Sequence, residues 1–316
     1  MRSRKHDCGQ ATVITVLFLT VLLAMSAAVL DVGSWYRADR ALQATVDAAA
    51  LAGAQELPKN PGQARAVAME YAGKNGGGVS DDGIKFSTKF VANDTIEVTG
   101  EKPAPGFFSK IIGIDSVQVA AGAKARTAGI SSALYVAPIV VDEKHPGLQC
   151  PDVDGDGHLN ACTGTSQTLT YQHLKNNGTP DGAGNFGFIN LTGEGGNGTS
   201  DLGDQILHGF NQYMDIGAYD ARTGNPFSSE NVKGTLELRV GDVLLFPVYR
   251  KLTGGGTGAK YEIIGWVGFR LTGMDLQGNK EKLYGQFTEV IWKGIQVEGG
   301  GGSPPDFGVK AVQLVE

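Results

Sequence analysis

Twenty consecutive residues without a charge, Ala11 to Leu30 (ATVITVLFLTVLLAMSAAVL), dominate the hydrophobic pattern of the chain. At about 1.5 Å of rise per residue, a helix of that length covers the roughly 30 Å hydrocarbon layer of a bilayer. Beyond Asp31 the apolar character narrows to one face. Ala38, Leu42, Val46, Ala49, Ala50, Gly53 and Leu57 recur at three- or four-residue steps, and no proline intervenes before Pro58. This spacing predicts that the membrane helix runs on and packs one face against a cover, with Arg37, Asp39, Arg40, Gln43 and Asp47 turned elsewhere. Ala and Gly dominate the buried face, so the cover can lie close to the helix backbone.

The next segments supply that cover. Pro61 to Lys74 reads as a second helix, and Ile84 to Val91 and Thr95 to Glu101 alternate as two strands around the turn residues Asn93 and Asp94. Pro103 and Pro105 are expected to break the second strand, Gly106 to Ile112 (GFFSKII) to form a short helix, and Ser116 to Ala125 to form a third strand. Further on, Leu134 to Val141, Gly187 to Leu191, Thr235 to Val240, Val243 to Tyr249, Tyr261 to Leu271, Lys282 to Val297 and Val309 to Val315 read as antiparallel strands. Pro247 marks an edge or a bulge. One amphipathic helix is expected from Asp201 to Phe210, with Leu202, Ile206, Leu207 and Phe210 inward. Thr192 to Gly198, Thr253 to Gly258 and Gly299 to Pro305 are glycine-rich connections. The expected class is α+β. Residues 1–10 form a short leading segment, 11–32 a transmembrane helix, 33–129 a helix on a small antiparallel sheet, and 130–316 a β-rich sandwich or barrel-like domain.

Charge sets the direction. Arg2, Arg4 and Lys5 precede the apolar span, so the positive-inside rule places the N-terminus in the cytoplasm and the bulk outside it. Trp35 and Tyr36 follow the span as interfacial anchors, whereas Trp266 and Trp292 fall on strands as core residues. A cleaved secretory signal ending near Ala24-Met25-Ser26 is the competing reading, but the apolar stretch exceeds the roughly 7 to 15 residues of a signal core. With 27 Lys plus Arg against 33 Asp plus Glu, the net charge of −6 is thinly spread and gives no footprint for nucleic acid. Forty-seven glycines favour turn-rich β structure.

Three cysteines divide unevenly. Cys8 precedes the span and reads as a free cytoplasmic thiol, while Cys150 and Cys162 suit a local disulfide in an oxidising compartment. They frame the sharpest chemical motif, in which Asp152, Asp154 and Asp156 alternate, Gly157 permits a tight turn, the His158 carbonyl takes the seventh ligand place and Asn160 the ninth. Such a loop suits a hard cation, Ca2+, in a structural role. It is similar to thrombospondin type 3 and EF-hand-like loops, except that the twelfth place holds Thr163 where an EF-hand has a bidentate Glu. A weak site in the range of about 10⁻⁴ to 10⁻³ M follows. The alternative is a solvated acidic turn. His145, His158, His173 and His208 show no zinc spacing, no Gly-x-Ser-x-Gly elbow occurs, and Gly254 to Gly258 opens no helix that could cradle a phosphate. No catalytic set or small-molecule substrate is evident, and an enzyme is not expected.

Gly9-Gln10-Ala11, the apolar span, Asp31-Val32-Gly33, Tyr36, Leu42-Gln43 and Asp47 to Ala54 (DAAALAGA) together resemble the N-terminal segment of TadE/TadG-like proteins. Phe107-Phe108, Ile112-Gly113-Ile114 and Val117 through Ala125 are similar to the close of that family's first extracytoplasmic unit, so the resemblance covers about residues 9–129. It implies a pilin-like helix on a sheet, a place in the cytoplasmic membrane, and a non-enzymatic role beside other pilus-assembly or pilin-like proteins in building Flp pili. Prepilin peptidases cut after a glycine, here Gly9, and pilins carry Glu five residues on, where this chain has Ile14. The resemblance therefore favours an unprocessed, TadG-like anchor over a filament subunit. A calcium-stabilised cell-surface adhesin or matrix-binding protein on a pilin-like anchor is the alternative.

Overall fold

The computed structural model describes residues 8–152, 159–172, 184–192, 199–254, 258–277, 281–296, 305 and 307–315. The chain divides into two compact units, the first comprising Met1–Ser87, Thr95–Arg126 and Leu314–Glu316, the second Thr88–Asp94 and Thr127–Gln313.

The first unit is organised by α1 (Cys8–Ala54), a single helix of 47 residues with no interruption between Asp31 and Trp35. From Ala11 to Leu30 every residue except Ala27 is exposed, so the span presents bare apolar surface all round. One apolar helix of this length fits a single-pass membrane protein. The distal half is buried on the expected face: Leu42, Val46, Ala49 and Ala50 are almost fully covered, as is Leu57 in the turn just past the helix end. Thr45 joins that face because its hydroxyl donates to Asn75 O at 2.6 Å as well as to Ala41 O. The cover is α2 (Pro61–Lys74) together with the sheet β1 (Val79–Ser87), β2 (Thr95–Pro105) and β3 (Ser116–Ala133), whose residues to Arg126 belong to this unit. Asn60 caps α2 by accepting from Gln63 N at 3.0 Å, and Pro61 fits the first helical position, where no amide partner is needed.

Small residues set the spacing of these layers. A Cβ added at Gly53 would lie 2.8 Å from both Ala64 O and Ile96 Cδ1, and one at Gly100 would meet Val46 Cγ1 at 3.1 Å and Leu42 Cδ1 at 3.2 Å. Gly53 thus lets α1 approach α2 and Ile96 closely, and Gly100 lets β2 approach α1. Gly53→Val is expected to lower stability by about 1–3 kcal/mol through overpacking. Gly33→Ala, where nothing lies within 4 Å, should be neutral or stabilising by up to about 1 kcal/mol. Denaturant midpoints of the full chain in detergent would separate the two.

Two local expectations fail here for identifiable reasons. The hairpin turn is not a tight one at Asn93-Asp94, since β1 ends at Ser87 and pairs with Thr95. Residues 88–94 form a loop that winds around the Asp94 carboxylate, which accepts from the amides of Lys89, Phe90 and Val91. Pro103 and Pro105 do not break β2, which pairs with β3 as far as Pro105 opposite Ser116. Glu101 N donates toward Gly78 O on the β1 side. By strand alternation the missing amides of Pro103 and Pro105 face that same edge, beyond the start of β1 at Val79, where no ladder bond is lost.

In the second unit β4 (Ile139–Asp142), β5 (Ser166–Thr170), β6 (Phe186–Phe188), β7 (Met214–Asp215), β8 (Gly217–Asp220), β9 (Val243–Thr253), β10 (Lys260–Asp275) and β11 (Lys282–Thr288) follow in chain order. The short β12 (Val290–Ile291) and β13 (Gly294–Gln296) and the final β14 (Val309–Val315), whose residues to Gln313 belong to this unit, complete the set. The central sheet runs β5-β11-β10-β9-β4-β6, with β8 on β10. It is mixed rather than wholly antiparallel, because β4 runs parallel to β9; outside it, β12 also runs parallel to β14. Pro247 lies opposite Trp266 beside two register shifts in the β9–β10 pairing. Leu244, Phe246 and Val248 face one core, which also takes Leu202 and Ile206 of α3 (Thr199–His208) and Val232 and Leu236 of α4 (Glu230–Leu238). Leu245 and Tyr249 face a second core with Ile130, Trp266 and Val309. Burial on both faces explains the unbroken apolar run of β9.

Helix α4 corrects the expected strand at Thr235 to Val240. Val232, Thr235 and Leu236 are buried at helical spacing while Leu238 is 72% exposed, whereas a strand would have placed Leu236 and Leu238 on one face. The expected strand Leu134 to Val141 begins only at Ile139, since Tyr135 adopts a positive φ of 59°. Lys282 to Val297 is broken into β11, β12 and β13, and Trp292 falls between the last two, where Nε1 donates to Leu134 O at 2.7 Å. Most of the glycine-rich connections at 192–198, 253–258 and 299–305 lie outside the described residues.

Candidate functional site

The C-terminal end of the apolar span is held by a carboxylate. Asp31 stands immediately after the last apolar residue of the span and is 3% exposed. Its Oδ1 accepts from Phe107 N at 2.7 Å, its Oδ2 from Ser109 N at 2.5 Å, and the Phe108 amide reaches both oxygens at 3.2 and 3.0 Å. These amides lead into the short 3-10 helix Ser109–Ile112, the expected GFFSKII element. Their N–H groups have no partner within the helix, so a carboxylate from α1 caps them from 76 to 78 residues away. Gly113, at φ 84°, closes the helix in the left-handed conformation. Sequence reasoning placed Asp31 at the end of the span and in the Asp31-Val32-Gly33 motif, and gave it no partner. The available signal was one carboxylate following twenty uncharged residues inside a helix that continues past it.

Trp35 and Tyr36 separate in role. Trp35 packs toward Leu42, Ala104 and Val119, while Tyr36 stays exposed and accepts from Arg40 Nε at 3.0 Å.

The second place of interest is the cysteine-framed loop. Cys150 and Cys162 are bridged with their Cα atoms 5.2 Å apart, as their spacing predicted. Beside the bridge Cys150 and Asn160 exchange backbone hydrogen bonds, 3.0 Å and 2.9 Å long, so the two ends of the loop are joined twice. Of the five expected ligand positions, Asp152 is exposed and Asn160 is buried, while Asp154, Asp156 and His158 lie outside the described residues. Among the described residues no group of three or more His, Cys, Asp or Glu side chains is placed to hold a metal ion.

His145 anchors this loop to the domain. It is 5% exposed, with Nδ1 accepting from Gly147 N at 3.0 Å and its ring edge-on to Phe287. The proton therefore sits on Nε2, which faces Thr168 O at 3.4 Å. Gly147 in turn accepts from Cys162 N at 2.7 Å. Burial pushes the His145 imidazole below its ordinary value, only partly offset by the Thr168 carbonyl and Asp142. The folded chain then binds fewer protons at His145 than the unfolded chain. Stability from this residue is complete above about pH 6.5 and is lost as pH falls from there through the lowered value. Denaturant midpoints of the full chain should drop between pH 7 and pH 5, and His145→Gln should remove that component.

The remaining histidine of the described residues, His208, lies at the surface 3.8 Å from Asp204. Tyr249 and Tyr261 pack at a tilt of 55° with centroids 4.6 Å apart near Asp142, and burial raises both phenols well beyond their usual range. Such groups stay protonated and serve packing.

No curated protein and no solved structure matches the chain. Residues 9–56, which run from the bare half of α1 through its buried half, match the family model for TadE/G-like Flp pilus-assembly (Tad) proteins.

Proposed function

We propose that this chain is a membrane-tethered, non-enzymatic component of Flp pilus assembly, TadG-like in kind, with its N-terminus in the cytoplasm and its folded bulk outside. The carrying observation is that the stretch matching the pilus-assembly family is one continuous helix, bare and apolar over the span and roofed by glycine-spaced strands beyond it. A helix with two such environments anchors in lipid and carries the folded part rigidly at its far end. Partners are other pilus-assembly or pilin-like proteins in the membrane. Deletion of the gene is expected to abolish Flp pili while leaving other surface structures intact. Normal piliation in the deletion strain would overturn the proposal, and loss of surface adhesion alone would point to an adhesin. Carbonate washing should leave the chain in the membrane, whereas a mature chain starting near Ala27 would mean a cleaved signal.

We further propose that the loop 150–163 holds a structural Ca2+, with Asp152, Asp154, Asp156, the His158 carbonyl and Asn160 as ligands. The alternating carboxylates support this, as does the closure of the loop by disulfide and backbone bonds. Three carboxylates in so short a loop repel one another and are relieved by a divalent cation, which supplies cross-linking here and no chemistry. Titration calorimetry of the full chain should show binding at about 10⁻⁴ to 10⁻³ M, lost in Asp154→Asn/Asp156→Asn. No heat at millimolar calcium would refute it.

A further inference from the structure

The segment capped by Asp31 has the surface of a lipid-facing element. Ile111 is 84%, Ile112 76% and Phe107 68% exposed, with Phe108 and Ile114 also open to solvent and Lys110 among them. Five large apolar side chains in eight residues is a concentrated patch for a water-exposed loop. The backbone beneath is nevertheless well satisfied. Besides the three amides bound by Asp31, Gly106 N donates to Asp115 O at 3.1 Å, Ile111 N to Phe108 O at 3.0 Å, Gly113 N to Lys110 O at 3.1 Å and Ile114 N to Ser109 O at 3.0 Å. The Ser109 hydroxyl donates to Ile114 O at 2.8 Å. In water, solvent would serve these groups, whereas a segment entering the bilayer must pair them internally.

Position decides the occupant. Asp31 follows Leu30, the last residue of the apolar span, and touches the amides of residues 107–109 directly. The patch therefore lies at the level where the span leaves the hydrocarbon, at the turn of α1 whose Val29, Leu30 and Val32 are also exposed. We infer that residues 106–114 form a second membrane contact, a wedge seated in the outer interface of the same bilayer that α1 crosses, with Asp31 as the positioning residue that joins wedge to anchor. Lys110 meets the headgroup phosphates. A single helix leaves its extracytoplasmic part free to tilt and swivel, and a second contact beside it fixes the orientation in which the folded part is offered to partners. This inference rests on the membrane-spanning reading of α1.

The test uses the full chain in nanodiscs of phosphatidylethanolamine and phosphatidylglycerol, in a Cys8→Ser background. A nitroxide is placed at Ile111→Cys, at Leu19→Cys in the span, and at the exposed Lys85→Cys of β1. The Ile111 label should collide with oxygen in preference to a soluble nickel chelate, with an oxygen-to-nickel ratio several-fold above that at Lys85→Cys. Asp31→Asn and Asp31→Ala should shift the Ile111 label toward the aqueous ratio while leaving Leu19→Cys unchanged. A water-like ratio at Ile111 with a lipid-like ratio at Leu19 overturns the wedge alone. A label at Ile111 shielded from both reagents overturns it in favour of a protein partner covering the patch. A water-like ratio at Leu19 instead removes the membrane span on which the inference stands.

Discussion

Val46→Asp should detach the roofed half of α1 from its sheet and abolish pilus assembly while leaving the chain in the membrane. Val46 is fully buried, and its Cγ1 lies against the backbone of Gly100 in β2. A carboxylate there replaces apolar contact with a charge stripped of water, and a buried charge without compensation costs about 3–5 kcal/mol. Domains of ordinary size hold only about 5–15 kcal/mol in total. Residues 11–30 are untouched by the change, so insertion is expected to persist. Urea midpoints of the purified chain in detergent measure the first effect, and pilus counts with membrane fractionation measure the second. A variant of unchanged midpoint would mean that the face of α1 carrying Val46 is not packed as described.

Removing the bridge with Cys150→Ser/Cys162→Ser is expected to cost about 3 kcal/mol, the chain-entropy value for a loop of this size. The effect should spread beyond the loop. Cys162 N donates to Gly147 O, Gly147 N donates to His145, and the His145 ring lies on Phe287 of β11. The bridge thus ties the loop to β11 of the central sheet. Thermal unfolding of the full chain with and without the double substitution reads the loss. The pH-dependent component from His145 should shrink in the bridge-free variant, because the amide of Gly147 is then less firmly presented to Nδ1.

Where local chemistry alone decides an element, the sequence was enough. The run of α1, the Pro61 start of α2, the GFFSKII turn, β14 and the Cys150–Cys162 bridge each follow from spacing or composition over a few residues. Where the outcome depends on a distant partner, it was not. Pro103 and Pro105 are tolerated only because β1 starts at Val79 and leaves that edge open. Leu236 and Leu238 alternate like a strand, yet the packing of α4 beside α3 on the core selects the helical face.

The same division applies to the site. The cysteine frame was legible because its residues adjoin in sequence. The capping of residues 107–109 by Asp31 was not, because it joins groups 76 to 78 residues apart and leaves no local trace except an isolated carboxylate. The parallel pairings of β4 with β9 and of β12 with β14 were hidden for the same reason, since alternation reports burial and not the identity of the neighbouring strand.

The continuity of α1 across the membrane boundary can be measured as a distance. With nitroxides at Leu19→Cys and Ala44→Cys in the Cys8→Ser chain, held in nanodiscs, an unbroken helix places the two sites about 38 Å apart. Pulsed dipolar spectroscopy should return one narrow distribution near that value. A broad distribution, or one centred well below it, would mean a break near Asp31 to Trp35 and would contradict a rigid anchor running from lipid into the sheet.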